Sequence, residues 1–201
     1  MASKSGSFFR KFFKLIFSLA GLLVAALAVI LMVLPFTGTE VIVPVVGEIS
    51  LGVSGFAWAF GGDPTIFLND ELVDFSEVKS ALESLQLPID TTVEMNAGIT
   101  ATFVLLAVAA LLALVYVIFC WGHRNAKVKK GIGAISALLL LVGGILCFLA
   151  CPFTEWPVES SEEFLIEYTS GLGVGAIFSG VAGILGAILM GVATLFGPKE
   201  K

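Results

Sequence analysis

Residues 99–121 read ITATFVLLAVAALLALVYVIFCW, 23 consecutive positions without an Asp, Glu, Lys, Arg or His. At about 1.5 Å of rise per residue a helix of that length reaches about 35 Å, enough to cross a hydrocarbon core of about 30 Å. Three further runs share the property, residues 15–34, 132–151 and 171–197, and each holds at least 20 residues. They account for the composition: of 201 residues 58% are apolar and 13% charged, with a mean hydropathy of +1.03. A water-soluble fold could not place that much apolar surface. A disordered chain is excluded by the same excess, and a disulfide-stapled domain by a count of three cysteines. The expected fold is an α-helical membrane protein: a four-transmembrane-helix bundle with a small extracellular β-sheet plus helix subdomain.

The charges between the runs sort by sign. Residues 1–14 carry Lys4, Arg10, Lys11 and Lys14 and no acid; residues 122–131 carry Arg124, Lys127, Lys129 and Lys130 and no acid. The connection 35–98 has ten acids against the single Lys79, and 152–170 has five acids and no base. The tail, 198–201, adds two lysines and one glutamate. Lysine and arginine are retained on the cytoplasmic side, so both basic segments, the tail and both termini are expected in the cytoplasm of a plasma-membrane protein, with both acidic loops outside. A basic start before an apolar run is also how a signal peptide begins. Here the run is too long and is followed by Pro35, Phe36 and Thr37 rather than a small-residue cleavage box, so it is read as a retained span.

On a helix, Phe8, Phe9, Phe12, Phe13 and Ile16 share one sector while Arg10, Lys11 and Lys14 fill the opposite one. Such a segment can hold its rings in the headgroup layer and its charges on anionic lipid at the cytoplasmic face, each base contributing about 1 kcal/mol. It equally serves as the positive flank that orients the first span. The fourth span places Gly175, Ser179, Gly183, Ala187 and Gly191 at every fourth position, a row that lets another helix backbone approach closely. That helix is expected in the same chain, with Ala97, Ala101 and the pair Gly143 and Gly144 as its surfaces; a second subunit is the other reading.

The spans contain no ionisable group except cysteine and Tyr116. Intramembrane carboxylates, lysines and histidines mark ion paths and proton relays, and interrupted transporter helices carry Gly/Pro breaks in matched halves; no proline lies within a span. Cys147 and Cys151 stand one turn apart, not in a Cys-x-x-Cys pair, so with Cys120 they read as small packing residues. His123 has no His or Cys at ligand spacing. No catalytic constellation, metal site, cofactor or nucleic-acid surface is expected.

The 64 residues of 35–98 are too many for a structureless connection. Val41 to Val46, broken by Pro44, reads as an edge strand. Ile49, Leu51 and Val53 alternate as a half-buried strand, and after Gly55 the large residues shift to Phe56, Trp58 and Phe60 as a bulge would produce. Thr65 to Leu68 returns as a hairpin across Gly61-Gly62-Asp63-Pro64. A helix capped by Asp74 ends before Pro88, and Thr91 to Glu94 adds a short strand. Phe56, Trp58, Phe60 and Trp156 are the candidates for contact outside the chain, with filling the seam at the bilayer surface as their ordinary role.

In layout the chain resembles the four-span proteins typified by claudins: a long first outer loop of strands plus a short helix, and a short second one. Of the claudin loop signature only Gly55-x-x-Trp58 is echoed, and the paired loop cysteines are absent. In the run Leu172-Gly173-Val174-Gly175-Ala176-Ile177 and the turn Lys127-Val128-Lys129-Lys130-Gly131 it is similar to uncharacterised four-span membrane proteins of Gram-positive bacteria. The resemblance implies a bundle without an assigned activity. The expected function is non-enzymatic, by self-association or contact with another membrane protein through the helices and the acidic outer domain. The alternative is a subunit of an oligomeric channel or transporter.

Overall fold

A computed structural model describes residues 2–43, 47–62, 65–68, 71–73, 93–121, 126–150 and 167–195. The elements are α1 (Ala2–Ile30), a 3-10 turn (Leu31–Val33), β1 (Pro35–Val43), β2 (Gly47–Ser54), α2 (Gly55–Phe60), β3 (Thr65–Leu68), β4 (Glu71–Val73), α3 (Ala97–Trp121), α4 (Ala126–Phe148), β5 (Glu167–Leu172) and α5 (Val174–Leu195). Each of the four uncharged runs falls largely on one of the long helices α1, α3, α4 and α5, all long and apolar enough to cross a membrane; α1, α3 and α4 begin before their runs. The chain divides into two compact units, one of helices (Met1–Ile30, Thr102–Leu146, Phe178–Lys201) and one built on a sheet (Leu31–Ala101, Cys147–Ile177).

In the helical unit the close approaches fix the directions. Gly21 lies against Met190, and Gly186 against Ala25, so α1 and α5 run antiparallel. Gly143 against Leu106 and Gly133 against Tyr116 set α4 antiparallel to α3; Gly144 against Gly180 and Gly133 against Thr194 set it antiparallel to α5. Small residues stand where backbones meet, and aliphatic ones such as Leu23, Leu111, Leu138 and Ile188 point out of the unit. That is the arrangement expected where lipid removes any hydrophobic drive between helices. The cationic aromatic segment is not a separate helix, because α1 runs unbroken through it for 29 residues, about 44 Å.

The sheet unit is antiparallel throughout, in the order β4-β3-β2-β1-β5. Three expectations change. β1 is not an edge: it pairs with β2 on one side and β5 on the other, and it ends at Val43, before Pro44; its one proline, Pro35, is its first residue. β5 takes Gly171 and Leu172 from the start of the fourth uncharged run, and α5 begins at Val174 instead. Phe56, Trp58 and Phe60 lie on a helix rather than a bulged strand. Ser54 keeps an extended backbone and its hydroxyl accepts the Ala57 N–H at 3.1 Å, capping α2; Gly61, at φ 77°, ends it. The register irregularity lies elsewhere, between Pro35 and Thr37 of β1, and buries Phe36 beside Met32 and Gly55.

β3 returns antiparallel on β2 from Ile49↔Leu68 to Gly52↔Thr65, but not as a tight hairpin across Gly61-Gly62-Asp63-Pro64: α2 lies in the connection, because residues 55–60 are helical. Of Thr91 to Glu94, Val93 makes a single bridge to Gly62. The expected helix from Asp74 and the loop around Trp156 lie outside the described residues. Asn96 opens α3: its Oδ1 accepts the N–H groups of Gly98 and Ile99 at 2.9 and 3.2 Å. Asn96→Ala is expected to cost about 1 kcal/mol and to speed hydrogen exchange of those two amides above that of the rest of α3.

Candidate functional site

The row on α5 does not present one continuous surface to one partner. Gly175 meets chain that is not helical: a Cβ there would lie 2.6 Å from the Leu34 carbonyl oxygen and 2.8 Å from that of Pro35. Ser179 is fully buried, and among the described residues its hydroxyl is the one buried side-chain polar atom without a hydrogen bond. Gly183 faces α4, where a Cβ would stand 2.8 Å from the Gly144 Cα. Ala187 is buried. Gly191 is half-buried, and among the described residues a Cβ on it would meet nothing within 4 Å. Of the surfaces expected to face this row, Gly144 does so; Ala97 and Ala101 are exposed on α3.

Three other hydroxyls inside the helical unit hold backbone carbonyls. Ser136 on α4 donates to the Ala109 carbonyl of α3 at 2.9 Å, Tyr116 on α3 to the Ala193 carbonyl of α5 at 2.9 Å, and Ser18 to Leu15 within α1 at 2.9 Å. Tyr116 is a junction of all four helices. Its ring packs on Gly133 of α4, and Lys14 of α1 places its ammonium 5.4 Å from the ring centroid, a cation–π arrangement. Tyr116→Phe keeps the ring and removes the link to α5. It is expected to cost about 1 kcal/mol, read as a lower unfolding midpoint in detergent.

Around this junction the cationic aromatic segment keeps its rings outward. Phe9 is 59% exposed, Phe12 and Phe13 are also exposed, and Phe9, Phe13 and Phe17 stack in succession at 6.2 and 6.3 Å. Lys11 is exposed and Lys14 half-buried. Phe8 and Arg10 lie on the same helix.

The outer-contact candidates separate. Trp58 is 6% exposed and its indole N–H donates to the Thr37 hydroxyl at 2.8 Å, so it is an anchor of the sheet unit and not a contact surface. Its carbonyl accepts the Asn96 N–H, and the Ala59 carbonyl accepts the Thr100 hydroxyl, tying α2 to the start of α3. Phe56 and Phe60 stack at 6.1 Å on another face of α2, with Phe60 exposed. Trp156 lies outside the described residues. Cys147 is buried and Cys120 half-buried; among the described residues no three His, Cys, Asp or Glu side chains gather as metal ligands would.

No family model matches the chain, and a comparison with curated proteins finds no match. The class therefore rests on the molecule itself: four long apolar helices make it a multi-pass membrane protein.

Proposed function

We propose that the chain is a non-enzymatic plasma-membrane protein that acts by association, with a second copy or another membrane protein, through its helices and its acidic outer domain. The termini and the basic segments lie in the cytoplasm, and the sheet unit faces outward. The observation that carries the association is Gly191. It continues a small-residue row whose earlier members are covered within the chain, yet no atom of the described residues stands within 4 Å of where its Cβ would be. A bare glycine on a membrane helix is a place where another helix backbone can approach closely. The hydroxyls that reach across to neighbouring helices, those of Tyr116 and Ser136, end on backbone carbonyls rather than facing a polar lumen, which favours association over conduction.

The test is the mass of the intact particle after mild-detergent extraction. A dimer or a complex with one defined membrane protein is expected, and Gly191→Leu should reduce it to the single chain without lowering its unfolding midpoint. A single chain from the unaltered protein overturns the reading. Orientation is tested with cysteines placed at Asp74 and Lys129: impermeant reagent on sealed cells should label the first and spare the second.

A further inference from the structure

We infer that α2 is an interfacial wedge: Phe60, together with Val33, Leu34, Met95 and Val174, docks on lipid acyl chains at the boundary of the nearer leaflet and fixes the depth of the sheet unit. All five residues belong to that unit and all are exposed, Phe60 at 59% and Met95 at 64%. An isolated apolar residue at a surface needs no account, but these are tied to one another through the backbone. Gly55, the first residue of α2, lies against Met32 in the turn that ends α1. The last residues of α2 reach the entry of α3, where the Asn96 N–H donates to the Trp58 carbonyl and the Thr100 hydroxyl to the Ala59 carbonyl. Gly175, next to Val174, lies against the Leu34 carbonyl. α2 therefore runs from the end of one membrane helix to the first turn of another.

The length of α3 sets the depth. Its 25 residues reach about 38 Å against a hydrocarbon core of about 30 Å, so about 4 Å projects at each end. Thr100 stands three residues inside the start of α3, about 4.5 Å, which is the edge of the hydrocarbon, and the Ala59 carbonyl is hydrogen-bonded to it at 2.9 Å. Exposed Glu94, one residue before Met95, lies on the watery side of that edge, so the wedge is shallow. The ends of α2 suit a place poor in water. A short helix leaves N–H and C=O groups open at both ends, and near lipid each has to be satisfied within the protein. Here the Ser54 hydroxyl takes the Ala57 N–H, and α3 takes the carbonyls of Trp58 and Ala59. What covers the exposed side chains at that depth is acyl chain. The inference rests on the helices crossing a membrane, and neither on association with another protein nor on which side the sheet unit faces.

The experiment places p-benzoylphenylalanine at position 60, and in a separate chain at position 95, of the full chain in phosphatidylcholine nanodiscs, and reads the intact mass after irradiation. At both positions the expected product is heavier by one phosphatidylcholine, with fragmentation placing the new bond on an acyl chain. Phe60→Glu, which sets a second carboxylate beside Glu94 and lifts the wedge toward water, should lose most of the lipid adduct at position 95, whereas Phe60→Leu should keep it. Chain crosslinked to chain in place of lipid, a bond confined to the headgroup, or no lipid adduct at either position would each overturn the inference. A particle that proves to be a single chain sinks the association proposed above and leaves these expected products unchanged.

Discussion

Replacing Trp58 with alanine is expected to destabilise the sheet unit by about 3–5 kcal/mol, the usual cost of deleting a buried aromatic ring. The indole is enclosed with Val53, Ala57 and Ala59 in the core of that unit and holds the Thr37 hydroxyl of β1. The backbone of the same turn accepts from Asn96 at the entry to α3. Limited proteolysis of the purified protein should show faster cleavage within residues 35–98. Trp58→Phe keeps most of the apolar volume and gives up the hydrogen bond to a buried Thr, so about 1–2 kcal/mol is expected. Equal effects of the two variants would show that the ring's volume has no part in the anchor.

Gly144→Leu is expected to cost more than about 3 kcal/mol and to splay α4 from α5. The first added carbon alone would stand 2.9 Å from the Gly180 carbonyl oxygen, 3.0 Å from the Ile184 nitrogen and 3.2 Å from the Gly183 carbonyl carbon. All three are backbone atoms, which cannot swing aside as a side chain could. Overpacking into movable neighbours already costs about 1–3 kcal/mol. Unfolding in mixed micelles with increasing SDS measures the loss. Gly191→Ala is the control from the same row: with open space around it, alanine should be neutral or stabilise α5 by up to about 1 kcal/mol through helix propensity.

The four helices were legible because the signal is an absence: no charge over twenty or more residues admits few other readings. The row Gly175 to Gly191 was legible as a packing device, but its partners were not, since periodicity says nothing of what lies opposite. Gly175 faces the Leu34 and Pro35 carbonyls, whereas Gly183 meets Gly144 of α4. α2 escaped because Phe56, Trp58 and Phe60 alternate as a strand would, while its one helical mark, Ser54 as cap, stands without the glutamate three residues on that completes a capping box. β5 escaped for two reasons. Its last residues merge into an uncharged run, and its partner strand lies far away in sequence, beyond the reach of any local pattern. Trp58 shows the limit of reading aromatics by type: one of four candidates for outside contact, it is the most enclosed of Phe56, Trp58 and Phe60.

The pairing of β1 with β5 also sets an order of events during synthesis. β2, β3 and β4 leave the ribosome soon after β1, so four strands can assemble early, but the Thr37↔Leu172 ladder must wait until α3 and α4 have been made. Until then one side of β1 carries unmatched amide and carbonyl groups, a template for the wrong neighbour. Closure of that seam is thus the last register of assembly, and a chain stalled before residue 167 would leave the strand open to capture by another nascent copy or by a quality-control protease.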